Sequence, residues 1–322
     1  MKRIQRIILI ITGMFGLNNA SAQTPRISFE APYVYPEGVA YNEPAGLFYV
    51  SSVKTGTIGS VNEQGAYKEF YRDSSLKSSF GMKVDLKRNR LWVCTGDPSY
   101  SIYRDSSTYK KLIRLIGIDL NSGKKLEDID LSTLHNDKHF PNDLALDDAG
   151  NIYITDSNSP VIYKVDTGMK ASVFAQSDLF KSIGVALNGI VWSPQGFLIV
   201  AHNTDGKLYK VDVKDPSKIT PIVMKTFFPG ADGLLWDSQG KLVLVQNKGV
   251  HKVFQLSSTD NWSSAEVTAS TKATDRFHQP TTAAMKKKDI YVLNSKMNEL
   301  TDPTVPPSKE FSLQLVRFQP AL

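Results

Sequence analysis

One cysteine in 322 residues, Cys94, leaves no internal disulfide to make, so an exported chain of this length must be held by a large apolar core. Cys94 itself lies inside the apolar stretch LWVCTG and is expected to be a buried small hydrophobe. Long hydrophobic runs are also missing, apart from Ile7 to Leu17. That run follows Lys2, Arg3 and Arg6 and precedes Ala20, Ser21 and Ala22, the pattern of a cleaved secretory signal over residues 1–22. It is too short to span a bilayer permanently, and no cysteine near the cleavage site offers a lipid anchor. A soluble periplasmic or secreted protein without a membrane anchor is expected. Strong charge of one sign is lacking too. The formal +6 includes the three leader cations, so residues 23–322 carry about +3, which removes the main support for a nucleic-acid partner. Lys286 to Lys288 are read as the solvated tip of a turn. With only five histidines and nothing clustering them, a zinc site is not supported.

What is present is a repeat. PEGVAYNEPAGLFYVSS from Pro36, FGMKVDLKRNRLWVCTG from Phe80, PNDLALDDAGNIYITDS from Pro141, LNGIVWSPQGFLIVAHN from Leu187, ADGLLWDSQGKLVLVQN from Ala231 and QPTTAAMKKKDIYVLNS from Gln279 share one pattern. Each holds two period-two strands joined at a tight turn such as DDAG, SPQG or DSQG. A third strand follows in stretches such as PVIYKVDTG and GKLYKVDVKD, and a fourth in weaker ones such as ASVFAQ. A period mostly in the forties with four strands per unit predicts an all-β, six-bladed β-propeller with four antiparallel strands per blade. Residues 23–322 at roughly 45 per blade make one such domain. The last unit ends after three strands, so Arg26 to Glu30 are predicted to supply its outer strand and close the ring.

The second residue of each unit is Glu37, Gly81, Asn142, Asn188, Asp232 and Pro280. If the first strand of each blade is innermost, Glu37, Asn142, Asn188 and Asp232 converge at the channel mouth. Two carboxylates and two carboxamides make a hard all-oxygen set that suits Ca2+, with another divalent cation as an alternative. The same residues would otherwise serve to hydrogen-bond turns at strand starts. About fourteen residues further on, the antiparallel return predicts a second polar column as the pocket wall: Ser51, Thr95, Asp156, His202, Gln246 and Asn294. His139 and His278 precede inner strands and also reach toward the mouth in this reading, whereas His135 and His251 are assigned to the surface.

PEG at Glu37, PND at Asn142, LNG at Asn188 and ADG at Asp232, in this order, resemble the gluconolactonase and regucalcin family of six-bladed, calcium-binding sugar-lactone hydrolases, with paraoxonases as more distant relatives. The resemblance covers nearly all of the mature chain. It implies a metal held by Glu37, Asn142, Asn188 and Asp232, with Asp232 as the catalytic base that activates water for attack on a lactone carbonyl polarised by the metal. His202 is the alternative proton acceptor. Phe140 stands where sugar-lactone members often carry an arginine for substrate hydroxyls, and no histidine lies at Phe80 to Met82 to support a paraoxonase-type histidine pair. The expected partner is a small lactone or ester substrate, and the protein is expected to be a monomer. An aryl esterase, a non-catalytic exported propeller that binds a glycan or protein, and a metal-free strictosidine-synthase-like propeller are the rivals; the intact oxygen set argues against the last. The insertion GDPSYSIYRDSSTYKKL after the second unit is either a lid or an extended surface hairpin.

Overall fold

The computed structural model describes residues 25–321, so the leader read over residues 1–22 lies outside the described residues. Within them the chain forms six antiparallel sheets and four 3-10 turns of three or four residues. No helix there is long and apolar enough to cross a membrane. Blades 1 to 5 each take four consecutive strands, beginning at Val39–Asn42, Ser78–Asp85, Pro141–Leu146, Leu187–Ser193 and Ala231–Trp236. Blade 6 is made of Pro280–Lys286, Asp289–Asn294, Glu310–Leu315 and, from the other end of the chain, Arg26–Glu30. The predicted six-bladed propeller and its closure are both present.

Local chemistry accounts for the hairpins. In the third blade Asp147 Oδ1 accepts from the Gly150 and Asn151 amides at 2.7 Å each, and Gly150 takes φ 94°. Asp237 repeats this in the fifth blade, accepting from Gln239 and Lys241. The carboxylate satisfies turn amides that the ladder leaves unpaired, and glycine supplies the positive φ. The DDAG and DSQG signals are thus turn chemistry. At the equivalent turn of blade 6, Lys286 is an inter-blade residue, pairing with Glu63 of blade 1 at 2.6 Å, and only part of that lysine run is a free tip.

Closure rests on five cross-strand pairs, from Arg26 opposite Gln314 to Glu30 opposite Glu310. Phe29 is buried at this seam, its ring 6.2 Å from Tyr67 of blade 1 and 6.2 Å from Phe311 of blade 6. It belongs to an apolar cluster with Phe48, Phe80, Cys94, Leu144 and Phe311 that runs from blade 6 to blade 3. Cys94 is fully buried as expected, and its thiol is pushed up by desolvation and then by the charges of Asp143 and Glu37. Gln319–Pro320 add an unforeseen fifth strand to the edge of blade 5, opposite Ala269 and Ser270. A two-residue strand leaves no alternation to read, and proline is tolerated only at such an edge.

Candidate functional site

The six first strands touch one another in succession around the ring, and the sixth touches the first, so they line the axis. In five blades, pairing with the second strand slips one residue at the same height: between Ser79 and Met82, Pro141 and Leu144, Leu187 and Ile190, Ala231 and Leu234, and Pro280 and Ala283. Two inner-strand residues there face one on the partner. A bulge of this kind frees a residue from the ladder and re-aims its side chain. Asn142, Asn188 and Asp232 are the first residues of their bulges, and Glu37 lies two residues before the first blade's pairing begins at Val39. The counterparts in blades 2 and 6 are Phe80 and Thr281; the sequence alignment had placed Gly81 and Pro280 there, one residue off in each blade.

The residue after each site position explains how six backbones approach so closely. A Cβ on Gly38 would lie 2.2 Å from Phe80 O, and one on Gly189 would lie 2.2 Å from Asp232 O. The glycines of PEG and LNG are therefore closing residues of the ring. Where glycine is absent, hydroxyls bridge neighbouring blades: Thr281 and Thr282 both donate to Glu37 O at 2.7 Å, and Thr155 donates to Asn188 O at 2.7 Å.

None of Glu37, Asn142, Asn188 and Asp232 is more than 6% exposed. Asn142 Nδ2 donates to Ser157 Oγ at 3.0 Å, which leaves the amide oxygen for the channel. Glu37 Oε2, Asn142 Oδ1 and Asn188 Oδ1 are buried with no hydrogen-bond partner, as are Asp143 Oδ2 and Asn247 Oδ1. Asp232 Oδ2 accepts from Asn247 Nδ2. Burial, then the charges of Asp232 and Asp143, push the Glu37 carboxyl well up, with Lys83 opposing. Burial and then Asp143 do the same to Asp232, against the Asn247 hydrogen bond, Lys248 and the Asn188 hydrogen bond. Asp143 and Lys83 form an ion pair at 3.6 Å beside the site, and neither was singled out in the sequence. The only hint was that an Asp follows Asn in PND.

Buried oxygen atoms without donors are costly. A hard cation would satisfy several at once, and the donor set fits Ca2+ by its all-oxygen chemistry. Among the described residues no three His, Cys, Asp or Glu side chains are grouped to hold a metal, so a cation here would depend on the two carboxamides as well as on Glu37 and Asp232.

The predicted second column lies elsewhere. Ser51, Asp156, Gln246 and Asn294 bond within their own blades. Ser51 Oγ accepts from Gly38 N at 2.7 Å, and Gln246 Nε2 donates to Pro229 O at 2.9 Å. Fully buried Asp156 pairs with His139 Nδ1 at 2.8 Å and accepts from Phe140 N, while Asn294 Oδ1 accepts from His278 N. Thr95 Oγ1 is buried without a partner. His202 is fully buried against Tyr209, with Nε2 3.3 Å from Lys181 O and Nδ1 accepting from Asp205 N at 3.3 Å, so neither ring nitrogen is left for a proton from the site. The bulge is the reason. Asn142 and Asp143 together face Thr155 while Pro141 faces Asp156, so the face that carries Asn142 is shared with the residues one position after the predicted column, Ser157, Asn203, Asn247 and Ser295 in blades 3 to 6. Of these, Ser157 reaches Asn142, Asn247 reaches Asp232, and Asn203 accepts from Lys248 Nζ at 2.9 Å. His139 faces Asp156, away from the mouth. His278 and His251 line a separate cavity of about 320 Å³ with Arg26 and Lys296.

Phe140 is 9% exposed and packs 5.0 Å from Phe80 and 6.3 Å from Tyr100 of the insertion, giving the mouth one aromatic side.

Residues 35–294 match the family described as SMP-30/Gluconolactonase/LRE-like region. No curated protein matches the sequence significantly. Among solved structures, the major Malassezia sympodialis allergen Mala s 1 is 17% identical, with 92% of this chain and 97% of that one covered at a TM-score of 0.72. A luciferin-regenerating enzyme is 16% identical over 92% and 97%, with a TM-score of 0.62. A gluconolactonase from Xanthomonas campestris is 15% identical over 94% of each chain, with a TM-score of 0.60. At these identities the likenesses establish the fold.

Proposed function

Since the chain belongs to the SMP-30/gluconolactonase/LRE-like family, we propose that it is a calcium-dependent hydrolase that opens a lactone at the axis of its propeller. The observation that carries this reading is the set of buried, unpartnered oxygens on Glu37, Asn142 and Asn188 gathered with Asp232 at the channel mouth. Those four residues would hold the ion. When bound, a divalent cation there supplies Lewis-acid polarisation of the substrate carbonyl.

The remaining chemistry belongs to the chain. Asn247 and Asn188 both hydrogen-bond the Asp232 carboxylate, Asn247 at Oδ2, which orients it to receive a proton from water. The attacking water oxygen bonds to the carbonyl carbon as that proton moves to Asp232. The ring C–O bond then breaks, and the proton passes to the departing ring oxygen. Burial and Asp143 raise the proton affinity of Asp232, which a bound cation would partly offset. Lys248, held by Asn203, adds a positive charge near Asp232 that would favour a product carboxylate.

The aromatic side made by Phe140, backed by the buried Phe80, and Tyr100 favours apolar lactones or aryl esters over polyhydroxylated sugars within this reading. Hydrolysis of a panel of sugar lactones, alkyl lactones and aryl esters, with and without a calcium chelator, tests it. Chelator-sensitive turnover of at least one class is expected. If nothing in the panel is hydrolysed, a binding propeller replaces the enzyme.

A further inference from the structure

The insertion after the second blade's second strand is fastened on both sides. Toward blade 1, Ile102 N donates to Lys54 O at 2.9 Å; at the entry to blade 2, Ser101 Oγ donates to Lys77 O at 2.8 Å, while Lys77 Nζ reaches Tyr103 O and Asp105 at 2.8 Å each. Toward blade 3, His139 N donates to Lys110 O at 2.9 Å, and Lys110 N in turn donates to Asp97 O at 2.8 Å within the insertion. At its base Thr108 Oγ1 donates to the fully buried Asp97 at 2.7 Å. Such a span, bonded to both neighbouring blades, is a fixed roof segment, unlike a free hairpin.

Tyr100 lies between these anchors. Its ring is 6.3 Å from that of Phe140, two residues before Asn142. With Ile102 tied to Lys54 of blade 1 and Lys110 to His139 at the entry to blade 3, Tyr100 is held at the rim of the mouth beside those two blades. Burial first, then the charges of Glu37 and Asp232, push its phenol up, so the hydroxyl keeps its proton and can donate. Among the described residues the hydroxyl has no protein hydrogen-bond partner, and it is not among the buried unpartnered atoms, so it is open to solvent and to a ligand.

We infer that Tyr100 is a substrate-contacting specificity residue: its hydroxyl donates a hydrogen bond to a lactone oxygen, and its ring forms with Phe140 an apolar slot for an alkyl or aryl substituent on the lactone. This rests on the lactonase reading and narrows it to hydrophobic lactones. The two residues divide the work, since the phenol O–H addresses the ester group common to all lactones and the aromatic faces address only the substituent.

Tyr100→Phe and Tyr100→Ala separate those contributions, measured with δ-dodecalactone, which carries a heptyl chain, and with glucono-δ-lactone. The wild type is expected to prefer the alkyl lactone. Tyr100→Phe is expected to lower kcat/KM on the alkyl lactone about tenfold, mainly in kcat, the size of one lost hydrogen bond to a developing charge. Tyr100→Ala is expected also to raise KM for the alkyl lactone about tenfold and to abolish the preference. Unchanged melting temperatures and near-ultraviolet spectra show that each variant is folded. Wild-type kcat/KM in Tyr100→Phe, or an intact preference in Tyr100→Ala, overturns the inference while leaving the lactonase standing. If the wild type hydrolyses neither lactone, calorimetric binding of the lactam with the same heptyl chain reads the contact directly. Weaker binding by Tyr100→Ala supports the slot, and equal binding overturns it.

Discussion

Calcium affinity should rise steeply with pH, because Glu37 and Asp232 both have raised proton affinities in the metal-free fold. A carboxyl raised in the native state holds more protons than in the unfolded chain, beginning at the ordinary carboxylate value of about 4. The metal-free protein therefore loses stability as pH climbs from there toward the native values, opposite to a salt-bridged carboxylate. Calcium requires both groups ionised. Each proton that leaves on binding adds about 1.4 kcal/mol per pH unit, or tenfold in affinity, so loss of both would give up to about a hundredfold per unit. At a calcium concentration of about 100 times Kd, the ion adds about 2.7 kcal/mol to stability. The calcium-induced rise in Tm should accordingly be small near pH 5 and grow toward pH 8. Titration calorimetry in buffers of different ionisation enthalpy counts the released protons. Glu37→Gln removes one titrating group and should reduce the count by about one. Affinity that stays flat between pH 5 and 7, or a proton count unchanged in Glu37→Gln, would refute the reasoning.

Phe29→Ala empties the seam where the first strand meets blades 6 and 1, and should cost about 3–5 kcal/mol in urea unfolding; a loss under about 1 kcal/mol would mean that this strand does not close the ring. Gly38→Ala places a methyl 2.2 Å from Phe80 O, so the inner ring must open, and both stability and calcium affinity should fall, by about 2 kcal/mol in the former. His202→Gln should lower Tm through its buried contacts while leaving kcat/KM within about threefold of wild type, and a loss of orders of magnitude would return the ring to the mechanism.

The propeller was readable because each blade repeats the same two signals, a period-two strand pair and a turn whose Asp or Ser caps its own amides. The four oxygen-bearing residues shared one register, so their convergence needed only the inner position of the first strands. Side chains further along were misplaced by a single residue. A bulge leaves no mark in the alternation, and the expected return at His202 and Gln246 moved to Asn203 and Asn247. Asp143 and Lys83 were missed for a related reason: each occupies a strand position that reads as ordinary alternation, and only the ring brings them together. The insertion gave no periodic pattern at all, so its anchoring and the place of Tyr100 depended on the hydrogen bonds of Lys54, Lys77 and Lys110.

Asp232→Asn tests the central claim most directly, since it keeps size and an oxygen donor but removes the basic carboxylate. Turnover of a lactone that the wild type hydrolyses should be measured at calcium concentrations where metal analysis shows the variant loaded. The account predicts a calcium-loaded protein whose kcat falls by at least about a hundredfold. A loaded variant that turns over at the wild-type rate would contradict it.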